Sequence, residues 1–165
     1  MGIKLTDLIY RVCGGPKAEG DLKFIQIGGL TGRCVSCELL ESTENLIYDK
    51  NVLKAYGISM GTGAIYGAPS HVDYLEFARI GTEFFLHESC GRCTPCREGI
   101  RQLNKELSRS KDRVHEKSVA RIDRILTAME VGSACGLGQG MPTFLRSILD
   151  LYHKNGRTAN ERDHN

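Results

Sequence analysis

Three cysteines crowd the segment Glu88-Ser-Cys-Gly-Arg-Cys-Thr-Pro-Cys-Arg-Glu-Gly99 in C-x2-C-x2-C spacing, and a fourth, Cys135, follows after 38 intervening residues. A cubane iron–sulfur cluster needs thiolates that approach several irons from different directions. A tight loop with cysteines three apart supplies three of them, and a distant cysteine closes the fourth corner. Gly91 lets the loop turn sharply, and Pro95 suits the first turn of a helix that carries Cys96. A cluster held by four thiolates is anionic, and the free N–H groups of a helix N-terminus can donate to its sulfurs. Cys135 lies in the glycine-rich turn Gly132-Ser-Ala-Cys-Gly-Leu-Gly-Gln-Gly140, ahead of a helix expected from Pro142, so the same geometry can recur there. The spacing points to Cys90, Cys93, Cys96 and Cys135 as ligands of one [4Fe–4S] cluster, not as acid–base groups. The rival is a structural four-cysteine zinc site. Such sites usually join two separated C-x2–4-C pairs, whereas the pattern here is three plus one. Buried thiols with no ligand are the plainest alternative.

Other residues carry weaker signals. Cys34-x-x-Cys37 has the spacing of a redox dithiol, but no thioredoxin-like strand–helix context surrounds it, and two partly buried thiols are the better expectation. With Cys13 they make only three. Gly61-Thr-Gly63-Ala-Ile-Tyr-Gly67 resembles a dinucleotide loop, but its spacing is G-x-G-x-x-x-G and Pro69 follows where a helix should run, so a plain turn is favoured. His87 reads as a helix-end histidine in preference to a donor behind a ligand. Arg92 and Arg97 flank the ligands, either tuning the site, meeting an acidic partner or standing in solvent. The basic stretch 109–113 reads as a solvated loop.

The elements that must position these groups fall into two halves. Residues 1–70 hold 11 of the 19 glycines and short apolar runs. Thr6 is expected to cap a short helix carrying Leu8, Ile9 and Val12 and ended by Gly14-Gly15-Pro16. Residues Lys23–Gly28 read as a strand broken by Gly28-Gly29. One helix with a few short strands predicts a small α+β unit. Residues 71–156 predict four helices: about His71–His87, with Leu75, Ala78, Phe85 and Leu86 on one face; Pro95 to about Arg109, with Ile100, Leu103 and Leu107; about Glu116–Val131, with Val119, Ile122, Ile125, Leu126 and Met129; and Pro142 to Gly156, with Phe144, Leu145, Ile148, Leu149 and Tyr152. Such helices with short links predict a four-helix bundle. Residues 157–165 are polar and expected to be disordered.

Bulk composition narrows the function classes. Apolar residues make up 41% and charged residues 25%, as in a globular protein, and a net charge of +2 gives no pull toward nucleic acid. No apolar run is long enough to span a bilayer and no secretory signal is evident, so a cytoplasmic protein without membrane insertion is expected. Seven cysteines in a reducing compartment argue for metal or cluster ligation over disulfides.

At 88–99 the match becomes specific. The motif resembles the cluster-binding signature of the flavoprotein subunit of NADH-quinone oxidoreductase (complex I), shared with NAD-linked hydrogenases and formate dehydrogenases. Cys135-Gly-Leu-Gly-Gln resembles the segment that holds the fourth ligand there. Upstream, Ile27-Gly-Gly-Leu-Thr-Gly-Arg-Cys34, Glu38-Leu-Leu-Glu41 and Gly57-Ile-Ser-Met-Gly-Thr-Gly63 are similar to the β-grasp ("soluble ligand-binding", SLBB) domain before the cluster domain. The resemblance covers about residues 3–150. It implies a β-grasp domain over 1–70 and a four-helix [4Fe–4S] domain over 71–156, relaying single electrons between a flavin site and iron–sulfur centres on partner subunits of a hetero-oligomer. Those subunits begin with a large FMN- and NADH-binding domain whose signatures are missing here, so no FMN or NAD site and no activity of the chain alone are expected. A piece of a longer flavoprotein also fits, although Met1 and the polar tail read as natural ends.

Overall fold

A computed structural model describes residues 2–16, 21–43, 46–110 and 113–155. The chain divides into two compact units, Met1–Val72 and Asp73–Asn165.

In the first unit a three-stranded antiparallel sheet runs in the order β2-β1-β3, with β1 (Leu22–Ile27) between β2 (Arg33–Ser36) and β3 (Ile65–Pro69). Ile25 stands opposite Val35 and Gly67. Side chains alternate across a strand, so Ile25 and Ile27 share the face that packs with Leu5, Ile9, Val35, Leu40, Leu46, Leu53 and Ile58. β1 is buried almost throughout, Gln26 included. The Gln26 amide donates to the carbonyls of Leu30 (3.1 Å) and Gly32 (3.4 Å) and so braces the hairpin loop. That loop and the 59–63 turn lie backbone to backbone: a Cβ on Gly28 would stand 2.6 Å from the carbonyl of Ser59, at a φ of +102°.

Among the described residues three short helical segments accompany the sheet, where the sequence predicts one. A wide helical turn, Asp7–Val12, is followed by α1 (Cys37–Ser42) and α2 (Lys50–Ala55). The last two are defined by their caps: Ser36 accepts from the Leu39 N–H, and Asp49 from those of Asn51 and Val52. Thr6 is not the expected cap. It is already helical and makes no capping bond, because the start of the helix is tied instead by the Leu5 N–H to the carbonyl of Leu46. Winding is of the wide π type, which carries Val12 off the apolar face to 65% exposure.

The second unit consists of α3 (Tyr74–Glu88), α4 (Thr94–Arg109), α5 (Glu116–Gly132) and α6 (Gly136–Asn155). Asp73 caps α3 through the Glu76 N–H (2.8 Å). α3 and α5 each pack on α4 and α6, and α4 and α6 also touch each other more lightly. The contacts are close where glycine permits: a Cβ on Gly81 would meet the Phe144 ring at 2.3 Å, and one on Gly99 would meet the Met129 sulfur at 2.5 Å. The predicted stripes are buried at Leu75, Ala78, Phe85, Ile100, Leu103, Leu107, Ile122, Leu126, Met129, Phe144, Leu145, Ile148 and Leu149. Leu86 departs from its stripe and is exposed. Charged side chains also join helices, with Arg121 on Glu106 and Arg146 on Asp123 and Glu130. Arg79 donates to the carbonyls of Leu107 and Ser110 at the end of α4.

The last helix begins six residues before its expected start. It opens at Gly136, immediately after Cys135, and Pro142 lies inside it. Proline tolerates the first turn best, but it removes one N–H only, and a neighbour-packed helix can carry that loss. The expected stop at Gly156 and the 157–165 tail lie outside the described residues. Among the described residues no helix is long and apolar enough to cross a membrane.

Candidate metal centre

The loop of three cysteines runs between α3 and α4. Gly91 turns it at a φ of +71°. Ser89 ties it to the helix, its hydroxyl lying 3.5 Å from the Cys96 sulfur and accepting from the Gly91 N–H. Arg97 donates to the Gly91 carbonyl (2.8 Å) while pairing with Glu98, so this arginine pins the loop. Arg92 is exposed. Cys93 occupies the N-cap position of α4 without a full capping hydrogen bond, and Cys96 sits in the first turn, buried. Cys90 is exposed on the loop.

Cys135 enters from the other side of the sequence. It directly precedes α6, and its carbonyl accepts from the Gln139 N–H. The turn that carries it sits against the start of α4 at three points. Gly132 faces Pro95, where a Cβ would come within 2.9 Å of the ring. Gly138 faces both Ser133 and Cys96, with 2.5 Å to the Ser133 hydroxyl and 3.0 Å to Cys96 Cβ from the same position. The Ala134 backbone N–H reaches the Cys93 thiol.

These contacts set the charges. The Cys93 thiol is held below its ordinary range, chiefly by the Ala134 N–H; the N–H groups of Cys96 and of Cys93 itself add to this, against burial. Cys96 is pushed up, first by burial and then by the negative charge of Cys93 and Cys135, with the Ser89 hydroxyl pulling the other way. Cys93 and Cys135, two of the other predicted ligands, therefore both lie within electrostatic reach of Cys96. As thiolates they repel, and only a positively charged group among them would let all ionise together. Iron supplies that charge, and the free N–H groups supply donors for the sulfur, so the donor set suits an iron–sulfur cluster. Among the described residues no three His, Cys, Asp or Glu side chains are closed on a point fit for a single metal ion.

The remaining predicted residues lie elsewhere. His87 is exposed in the last turn of α3. Cys34 is buried in β2, and Cys37 opens α1 with its thiol pushed up to about 11 by burial and by Glu41 and Asp21, the opposite of an activated dithiol. The Gly61–Gly63 stretch is a turn whose Gly63 carbonyl accepts from the Tyr48 hydroxyl. Sequence reasoning missed Ser89, Ser133 and the Ala134 N–H. A serine beside each cysteine motif was the available signal.

Residues 76–158 match the family described as NADH-ubiquinone oxidoreductase-F iron-sulfur binding region. Over 153 residues the chain is 29% identical to the NADP-reducing hydrogenase subunit HndC of Solidesulfovibrio fructosivorans, covering 92% of this chain and 30% of that protein. It is 32% identical over 151 residues to an NADH-quinone oxidoreductase subunit of Rickettsia bellii (strain OSU 85-389), covering 90% and 36%. The chain thus spans about a third of the length of these curated relatives. Its fold matches part of a chain of an NAD+-reducing [NiFe]-hydrogenase solved in the H2-reduced state, with a TM-score of 0.66 and 22% identity, over 94% of this chain and 25% of that one.

Proposed function

The chain belongs to the NADH-ubiquinone oxidoreductase-F iron–sulfur binding family and binds a [4Fe–4S] cluster, and on that premise we propose that Cys90, Cys93, Cys96 and Cys135 are the ligands and that the chain relays single electrons within a larger oxidoreductase. The observation that carries the ligand assignment is the docking of the Cys135 turn on the start of α4, through Gly132 on Pro95, Gly138 on Cys96 and the Ala134 N–H on the Cys93 thiol. When bound, the cluster takes up and releases one electron at a time. The chain's own residues do the rest. Arg97 and Ser89 fix the loop, the start of α4 and the Ala134 turn bring N–H groups to the Cys93 thiol, and burial of Cys96 keeps water from one side.

The relatives are named as subunits of NADH-quinone oxidoreductase and of an NADP-reducing hydrogenase, which favours a place in an NAD(P)H-linked or hydrogenase-type complex. In this reading residues 71–156 act as a four-helix cluster domain, and residues 1–70 form a β-grasp, SLBB-like domain. Flavin and further iron–sulfur centres come from other polypeptides, the chain alone has no turnover, and the complex works in the cytoplasm. The exposed loop around Arg92 and Thr94 offers the least intervening protein, so Arg92→Glu is expected to weaken assembly or electron flux while iron content stays the same.

Anaerobic purification of the chain tests the core of this. The expected result is a brown protein with a broad visible band that bleaches on reduction, and about four irons per chain. A colourless protein loaded with zinc would overturn it.

A further inference from the structure

Among the described residues four serine and threonine side chains are buried: Thr82, Ser110, Ser133 and Ser147. Three of them are satisfied within their own helices or helix ends. Thr82 donates to the Ala78 carbonyl at 2.7 Å, Ser110 to that of Glu106 at 2.9 Å, and Ser147 to that of Phe144 at 2.8 Å. Ser133 is different. It is only 5% exposed, its hydroxyl has no hydrogen-bond partner, and it does not turn back to the end of α5. Its backbone is fully engaged, the N–H on the Met129 carbonyl and the carbonyl on the Gln139 amide (2.8 Å). A buried hydroxyl left unpaired costs about 1–3 kcal/mol, so such groups in folded proteins are held by something.

What lies beside it is the cluster site. The Ser133 hydroxyl and Cys96 Cβ flank the same face of Gly138, 2.5 Å and 3.0 Å from the point where a Cβ would stand, and Cys135 is two residues along the chain. Only glycine leaves this gap open. We propose that the Ser133 hydroxyl donates a hydrogen bond to sulfur at the Cys96 edge of the cluster and sets its reduction potential. The inference rests on the ligand assignment above. Reduction adds negative charge to the sulfurs, so a donor there stabilises the reduced state more than the oxidised one and raises the potential.

Potentiometric titration followed by electron paramagnetic resonance tests this on the full chain, as wild type, Ser133→Ala and Ser133→Thr. Expected are equal iron and sulfide contents, a midpoint shifted to more negative potential in Ser133→Ala, and a midpoint near wild type in Ser133→Thr. Pulsed resonance in H2O and D2O should lose one exchangeable proton coupling in Ser133→Ala only. An unchanged midpoint and an unchanged proton pattern in Ser133→Ala would overturn the inference and leave the hydroxyl to a buried water. If Ser133→Ala holds no cluster, recovery of iron and potential in Ser133→Thr supports the hydroxyl, and loss in both overturns it in favour of packing. Wild-type protein without iron and sulfide would instead bring down the ligand assignment itself, a result separable from all of these.

Discussion

Cys37 and Cys93 each belong to a Cys-x-x-Cys pair, yet their thiols meet opposite surroundings. In the sheet unit, Cys37 opens a six-residue helix, half-buried, with Glu41 and Asp21 raising its proton affinity. In the helical unit, Cys93 stands at the start of a 16-residue helix with the Ala134 N–H turned toward it, and its proton affinity falls. Equal spacing therefore has unequal chemical meaning. What separates the two is their surroundings: a second segment docks on the thiols in the helical unit and brings N–H groups, whereas burial first, and then the charges of Glu41 and Asp21, act on the thiol in the sheet unit.

Removing one cysteine from each unit puts this contrast to its hardest test. Cys135→Ala should abolish a stable [4Fe–4S] centre, leaving a labile or three-iron species, and should lower the unfolding midpoint because cluster binding is coupled to folding. Cys37→Ala should leave iron, sulfide and the visible spectrum untouched. Iron and sulfide assays on anaerobically purified variants decide it. Unchanged iron in Cys135→Ala would remove that residue from the ligand set.

Glycines give the next largest contrast. In the sheet unit, Gly28→Ala forces a side chain at a φ of +102° against a backbone carbonyl at 2.6 Å, where nothing flexible can yield. Strain and overpacking together should cost about 3 kcal/mol. In the helical unit, Gly99→Ala meets the flexible but buried Met129 side chain at Sδ (2.5 Å) and Cγ (2.6 Å), and about 1–2 kcal/mol is expected as it repacks. Urea midpoints of the full chain rank the two, and a larger loss for Gly99→Ala would show that the helices pack less adaptably than Met129 implies.

These contrasts also explain what could be read in the amino-acid sequence. Long helices announce themselves by period, and the stripes on α4 and α5 needed no structure. The six-residue α1 and α2 are too short for a period to emerge, and their evidence is single capping residues, Ser36 and Asp49. Pro142 misled because its preference for a first turn is only a preference: Gly136 to Met141 precede it in the same helix. At the candidate site, spacing alone picks out Cys90, Cys93, Cys96 and Cys135; of these, Cys93 and Cys135 come within electrostatic reach of Cys96, and Cys90 is exposed on the loop. Spacing is silent on the Ala134 N–H at Cys93 and the Ser133 hydroxyl beside Cys96, because these meetings exist only once distant segments have docked, and on the local Arg97 bond to Gly91, which exists only once the loop has turned.

Proton affinity offers a third test, on the cluster-free protein. At pH 8 the Cys37 thiol, at about 11, has about 100-fold less thiolate than one at its ordinary value of 9.0. Iodoacetamide labelling read by mass spectrometry should therefore modify Cys93 well before Cys37, with Cys37 rising only as the pH approaches 11. The sign for stability follows. The folded chain holds the Cys37 proton more tightly than the unfolded chain, so this contribution is complete below about pH 9 and is lost as the pH rises toward 11. Equal labelling rates at pH 8 would erase the contrast between the two pairs.

The smallest expected effect separates the ion pairs of the two units. Arg146 on α6 reaches three residues of α5 at once: Asp123 at 2.9 Å, Thr127 at 2.8 Å and Glu130 at 2.6 Å. Positions 123, 127 and 130 lie on one face of α5, so a single guanidinium fastens that face to α6 near the turn carrying Ser133 and Cys135. Arg11 in the sheet unit makes one 3.5 Å contact with Asp7, with its side chain 81% exposed. Exposed pairs contribute about 0–1 kcal/mol, and a fork with several partners belongs at the upper end of that range. Arg146→Ala should cost about 1 kcal/mol in urea unfolding, and Arg11→Ala nothing measurable. Because Arg146 fastens helices and touches no thiol, its loss should leave the iron content and midpoint potential unchanged. A shifted potential in Arg146→Ala would mean that the α5–α6 turn is held in place by this clamp more than by its own contacts with Pro95 and Cys96.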